Sequence, residues 1–330
     1  MKISCITRED WFNKETLKTK PGSGSGGGGI VTKYLSLMKC CPDIHFTSDF
    51  GDPNLRPIVL IEPLVIKLRS AKAMETALSK AEKLESHTGV KLLWCEEQTV
   101  FRWDHEVQHV MFEAVDGLLA CNQYQKQLLE TLPFDKPIYT LYTPIDDELY
   151  YPEPKEKQVI VASKVGYQKN TAAIIELFDA LSDDIRTVYI GSAEMWGGKS
   201  TYEYDKEFEK ELSRAADTYI KSASPVETAE WIRKSAAGLN ISIYDVGSLF
   251  FLETVMAGGD FFAWNYHPMF NEYQHVKRFD TVKDGASLIT ETLENVEPNT
   301  ALRDEVMAKH SFASFKRQLG AIIQEVFVNG

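Results

Sequence analysis

Residues 238–265 read "GLNISIYDVGSLFFLETVMAGGDFFAWN", and the reading of this stretch decides the fold. "GLNISIYD" has the character of a buried strand. Gly247 and Ser248 then close the strand and open a helix, since a serine hydroxyl accepts from backbone N–H groups that a helix start leaves unpaired. "SLFFLETVMAGG" is an apolar helix stopped by Gly258 and Gly259, and "DFFAWN" is a second strand. So short a strand–helix–strand passage predicts two parallel strands with the helix as their crossover.

The same rhythm extends in both directions. Upstream, "KQVIVASKV", "RTVYIGSAEM" and "TYIKSA" read as strands, separated by the helices "KNTAAIIELFDALSD", "TYEYDKEFEKELSRAAD" and "SPVETAEWIRKSA". Further back the pattern recurs. "KISCIT", "DIHFTSD", "PIVLIEPLVIKL", "KLLWCEE", "DGLLAC" and "KPIYTLYTP" are strand material. "IVTKYLSLMKC", "SAKAMETALSKAEKLESHTG", "WDHEVQHVMFEAV" and "NQYQKQLLETL" are helices. A last helix, "SFASFKRQLGAIIQEVF", closes the chain. Strands alternating with helices mean an α/β fold with two doubly wound, Rossmann-like parallel sheets. The proline-rich "YYPEPKEK" sets the expected boundary, giving a first domain over 1–150 and a second from 151. Two such sheets facing a cleft would hold ligands at the carboxyl ends of their strands.

Composition narrows the function classes. Of 330 residues, 44% are hydrophobic and 25% charged, as in ordinary globular proteins. The net charge of −12 gives no general help towards nucleic acid. The most basic region, with Lys67, Arg69, Lys72, Lys80, Lys83 and Lys91, is diluted by Glu75, Glu82 and Glu85 and reads as a solvated helix face. No apolar run is long enough to span a membrane, and "MKISCITRED" lacks the apolar core of a secretion signal. The 5 cysteines include no Cys-x-x-Cys pair. Free thiols in a reducing cytoplasm are expected, with no stable membrane insertion.

Two constellations could carry chemistry. In "YDVGSLFFLETV", Asp245 and Glu253 flank a helix start whose free N–H groups suit an anion, while the carboxylates suit sugar hydroxyls. The plainer alternative makes Asp245 a helix cap and Glu253 a solvated helix residue. In "VASKVGYQKN", 161–170, a strand end delivers Lys164 and Lys169, which together could neutralise a diphosphate. The plainer alternative is two surface lysines.

These landmarks, taken in order, resemble a family. "VASKVGYQKNTAAIIELFDAL", "TVYIGSAE", "DVGSLFFLETVMAGG" and "SFASFKRQLGAIIQEVF" are similar to segments of the GT-B retaining glycosyltransferases known as glycosyltransferase family four. "LLACNQYQKQLLE" with "IYTLYTPIDDELYYP" resembles that family's passage between domains. The resemblance covers about 115–330. It implies GT-B architecture, with a sugar-nucleotide-binding domain over 151–310 and a C-terminal helix, 311–330, that crosses back to the acceptor-side first domain. It implies transfer of a hexose, for example from UDP-glucose, to a hydroxyl acceptor with retention. No cofactor and no metal would be required.

By the same resemblance, Lys164, Lys169 and Asp245 are the catalytic group. Lys164 and Lys169 would hold the diphosphate and Glu253 the ribose. Asp245 and the backbone of Gly247, Ser248 and Leu249 would hold the sugar, with Gly191 in the same donor site. The sequence departs from the family in three places, one of them Val246-Gly247-Ser248, where the family has Gly-Phe-Gly. Asp245 stands where the family has a Glu one methylene longer, and Lys164 where it has an Arg with a bidentate fork.

The acceptor side is less legible. Glu96 and Glu97 end the strand "KLLWCEE", with Arg102, Trp103 and His105 close behind; Glu96 or His105 is a candidate general base. The acceptor classes are a saccharide, a small molecule, or a modified base in DNA, which would make nucleic acid the substrate. A non-catalytic nucleotide-binding relative is a further alternative. So is a nicotinamide-dependent oxidoreductase, since Gly22-x-Gly24-x-x-Gly27 formally fits the dinucleotide fingerprint, with Asp49 about 20 residues beyond. The fingerprint should follow its strand at once, however, and "KISCIT" ends well before it.

The glycine run itself, "GSGSGGGG" at 22–29, follows only one strand and so does not join domains. In the family it resembles, a glycine-rich loop at this place lies against the donor's phosphates and the acceptor, and the resemblance implies that role for Gly26, Gly27, Gly28 and Gly29, where any side chain would intervene. "TREDWFNKETLKTKPGSGS" is expected to act as a flap.

Overall fold

The structure, a computed structural model, describes residues 2–7, 27–61, 73–95, 105–193 and 203–329. Of the flap sequence, residues 7–25, all but Thr7 therefore lies outside the described residues. The chain forms two compact units. Of the described residues, 2–7, 37–144 and 312–329 belong to one, and 27–36 and 145–311 to the other.

In the first unit the elements follow as β1 (Ile3–Ile6), the last turn of α1 (Gly27–Cys40), whose residues up to Ser36 belong to the second unit, β2 (His45–Thr47), β3 (Ile58–Ile61), α2 (Ala73–Glu85), β4 (Val90–Trp94), α3 (His105–Glu113), β5 (Gly117–Ala120), α4 (Gln123–Leu129) and β6 (Ile138–Thr140). The strands make one six-stranded sheet in the order β2-β1-β3-β4-β5-β6. Every pairing is parallel. Strands of such a sheet are covered on both faces, so β1, β3 and β5 are buried at every position. That explains their unbroken apolar sequence.

The second unit contains β7 (Glu156–Ala162), α5 (Thr171–Ala180), β8 (Arg186–Ile190), α6 (Glu203–Ala215), β9 (Thr218–Ile220), α7 (Pro225–Lys234), β10 (Ser235–Asn240), α8 (Leu249–Met256), β11 (Asp260–Trp264), β12 (Lys277–Phe279), α9 (Val282–Thr292) and α10 (Thr300–His310). Its six strands are ordered β12-β11-β10-β7-β8-β9, again all parallel. The chain leaves β7 to one side and returns through β10 on the other. The order therefore reverses between β7 and β10, which is where an open α/β sheet opens a crevice at its strand ends.

The closing helix, α11 (Phe312–Asn329), belongs to the first unit. Its buried Phe315 meets Trp94 of β4 with ring centroids 5.9 Å apart. Gln318 Oε1 accepts from the backbone N–H of Tyr142 at 3.1 Å.

Two readings of the sequence need correction. The strand read as "GLNISIYD" is β10, which begins at Ser235 and ends at Asn240. Its small residues hide it from a propensity argument, yet packing requires them. A Cβ on Gly238 would lie 2.8 Å from Thr254 of α8, and one on Gly259 would lie 2.9 Å from the same side chain. The stretch between "DFFAWN" and the last helix, left without elements, contains β12, α9 and α10. β12 is three residues long and carries two charges, Lys277 and Arg278, so it shows no strand pattern.

Candidate functional site

The carboxyl ends of β7 and β10 deliver the polar groups. After β7 the chain stays in register with its neighbour: Ser163 N–H donates to the Ile190 carbonyl and Val165 N–H to that of Ser192, both at 3.0 Å. Tyr189, fully buried in β8, fixes this exit. Its hydroxyl donates to the Lys164 carbonyl at 3.2 Å and shares a 2.9 Å bond with the Ser163 hydroxyl. Burial pushes the Tyr189 phenol well above its ordinary pKa. Gly191 passes so close that a Cβ there would sit 1.8 Å from the Ser163 carbonyl oxygen, at φ +146°. Glycine at 191 thus has a packing reason of its own.

A turn follows. Gly166 adopts φ +153°, residues Tyr167–Lys169 form one 3-10 turn, and Asn170 is left-handed at φ 53°. The Thr171 hydroxyl accepts from Gly166 N–H at 2.9 Å and holds the turn against the start of α5. This geometry aims Lys169, the last residue of the turn, back across the strand ends. A backbone bond from Ile243 N–H to the Gln168 carbonyl, 2.8 Å, couples the turn to the loop after β10.

Lys169 and Asp245 meet here. Their Nζ–Oδ2 distance is 3.0 Å, with side-chain exposures of 21% and 3%. Asp245 Oδ2 also accepts from Asn240 Nδ2 at 3.2 Å, and Asn240 Oδ1 accepts from Ser242 N–H at 3.1 Å. The carboxylate is therefore buried, paired and oriented. It does not cap α8. That role belongs to Ser248, whose hydroxyl accepts from Phe251 N–H at 3.2 Å. Glu253, too, is buried rather than solvated.

His267, beyond β11, is 2% exposed. Its Nε2 lies 2.8 Å from the Ser242 carbonyl, which can only accept, so Nε2 carries the proton. Burial draws the imidazole below its ordinary pKa. The Ser242 bond and the charge of Asp245 oppose that shift, while Lys169 and Arg278 add to it. The ring is thus neutral at pH 7, and it braces the loop that carries Asp245.

The structure brings together Lys169 and Asp245, with Lys164 half-buried on the adjoining strand exit and Gly247, Ser248, Leu249 and Glu253 on the loop and helix beyond. Gly27, Gly28 and Gly29 form the first residues of α1 rather than a loop. Gly26, Glu96, Glu97 and Arg102 lie outside the described residues, and His105 is the first residue of α3. Sequence reasoning missed Asn240, Tyr189 and His267. Asn240 ends a strand that was misplaced, and His267 falls in a stretch that was left unread. Among the described residues no group of three or more His, Cys, Asp or Glu could hold a metal ion. No helix among them is long and apolar enough to cross a membrane.

Two parallel six-stranded sheets with flanking helices, and a last helix returned to the first unit, are the fold of GT-B glycosyltransferases. No protein-family model matches the chain, and no curated protein matches it. Solved structures do. HepE of Anabaena, solved with UDP-glucose, superposes with a TM-score of 0.68 at 10% identity, covering 98% of this chain and 100% of that one. Trehalose-6-phosphate synthase, OtsA, gives 0.68 at 9% identity, covering 99% of each. Sucrose-phosphate synthase from Thermosynechococcus elongatus gives 0.65 at 10% identity, covering 92% of this chain and 79% of that one. At such identities the likeness is one of fold.

Proposed function

We propose that this protein is a nucleotide-sugar glycosyltransferase of the family-four type. It would move a hexose from a nucleotide-diphosphate sugar such as UDP-glucose to a hydroxyl acceptor, with retention and without a metal. The observation that carries this reading is the pairing of Lys169 with buried Asp245 where the second sheet reverses its strand order. The reading is supported by the GT-B fold and by structural neighbours solved in complex with UDP-glucose and with UDP.

In the reaction, the bond from the sugar's anomeric carbon to the diphosphate oxygen breaks as the acceptor oxygen bonds to that carbon. The acceptor's proton passes to the leaving phosphate on the same face. Negative charge grows on the diphosphate, so Lys164, Lys169 and the N–H groups at the start of α8 act where they lower the barrier most. Asp245 accepts from sugar hydroxyls and Glu253 from the ribose. The residues 151–310 serve as the donor-binding domain and 1–150 as the acceptor side.

Release of nucleoside diphosphate from a panel of sugar nucleotides tests this. Slow hydrolysis or transfer with one of them is expected. Tight binding of a sugar nucleotide with no turnover would point to a non-catalytic relative, and binding of NAD alone would overturn the reading.

A further inference from the structure

One aromatic side chain at the same strand ends has no part in the mechanism above. Tyr266 is 58% exposed, directly beyond β11, although the rings around it are buried. It stacks on Trp264 with centroids 5.9 Å apart at 19°, and on His267 at 5.5 Å and 22°. Both supports are anchored. Trp264 donates its indole N–H to the Ile241 carbonyl at 2.7 Å and packs on Phe279 at 4.9 Å. His267 donates to the Ser242 carbonyl at 2.8 Å. The exposed ring therefore rests on side chains tied to Ile241 and Ser242, in the short run between Asn240 and Asp245. A ring held this way loses little freedom when a ligand stacks on it.

Its place in the sheet indicates which part of a ligand it would meet. Across the strand ends the order is β7, β10, β11. On the donor reading above, on which this inference rests, the lysines following β7 take the diphosphate and Asp245, following β10, takes the sugar. A donor laid along that line carries its hexose towards β11. A pyranose combines an apolar C–H face, which aromatic rings attract, with hydroxyls that a carboxylate accepts from.

We propose that Tyr266 is a stacking platform for the transferred hexose and so a determinant of donor-sugar specificity. Calorimetric titration tests it, with UDP-glucose, ADP-glucose, GDP-mannose and the matching diphosphates as probes. The tightest-binding pair is then carried through Tyr266→Ala and Tyr266→Phe. For Tyr266→Ala, affinity for the sugar nucleotide should fall about five- to tenfold while affinity for the diphosphate stays within about twofold. Tyr266→Phe keeps the ring and should match the parent for both. An equal loss of both ligands, or no loss of either, overturns the platform. If the parent protein binds none of the probes, the donor reading itself falls, and the platform with it.

Discussion

Lys169 shows how position gives a common side chain a particular partner. A lysine at the surface contributes little through an ion pair. This one faces a carboxylate that is 3% exposed, and a backbone bond between their two loops keeps them in register. His267 makes the second residue-scale case, and its consequence is a pH dependence. In the unfolded chain the ring takes its proton near pH 6.5; in the folded protein it does so at lower pH. Between those values the unfolded state binds more protons, so stability falls as pH drops below about 6.5. Gln at 267 keeps an N–H for the Ser242 carbonyl and cannot titrate. Thermal melts at about pH 7.5 and about pH 5 should therefore show a smaller acid loss in Tm for His267→Gln than for the parent. An identical loss in both proteins would show that His267 does not titrate as its surroundings dictate. Lys169 and Asp245 were legible in the sequence because they flank recognisable turns. The partners that orient them were not, since a histidine 22 positions beyond Asp245 becomes its neighbour only through the pairing of β10 with β11.

At the scale of elements, small residues decide where loops and helices can lie. Gly191 lets the exit of β8 pass against the Ser163 carbonyl, and Gly238 and Gly259 let α8 settle onto β10. Gly191→Ala should lower stability by at least about 2 kcal/mol, because the two nearest atoms, Ser163 O and C, are backbone and residue 191 sits at positive φ. A chemical-denaturation midpoint equal to the parent's would contradict the close approach. Lys155 couples two helices in another way. Its ammonium donates to the Arg233 carbonyl at 2.7 Å and to the Ala257 carbonyl at 2.5 Å, at the carboxyl ends of α7 and α8. Burial lowers its pKa to about 8. Lys155→Met leaves both carbonyls without that donor and should cost about 1–3 kcal/mol in the same denaturation measurement. Strands with long apolar runs, such as β3 and β7, could be read directly. β10 and β12 could not, because one is built from small residues that make room for α8 and the other is a short, charged strand that pairs only with β11.

For the whole molecule, the alternation of strands and helices was enough to predict two parallel sheets, since each βαβ passage allows essentially one handedness and one layering. The return of α11 to the first unit rested on resemblance; the burial of Phe315 against Trp94 supplies its physical reason. What a sequence cannot show is which strand ends become neighbours. That information lies in the order β12-β11-β10-β7-β8-β9, and it makes neighbours of Lys169 and Asp245, 76 positions apart in the chain. The central claim, that this site binds the diphosphate of a sugar nucleotide during transfer, is tested most directly by kcat/KM for diphosphate release in the parent, Lys169→Ala and Lys169→Arg. A charge-assisted contact contributes about 1.5–3 kcal/mol, so Lys169→Ala should lose roughly 10- to 150-fold, with Lys169→Arg retaining part of the activity. A Lys169→Ala enzyme as active as the parent would contradict the assignment.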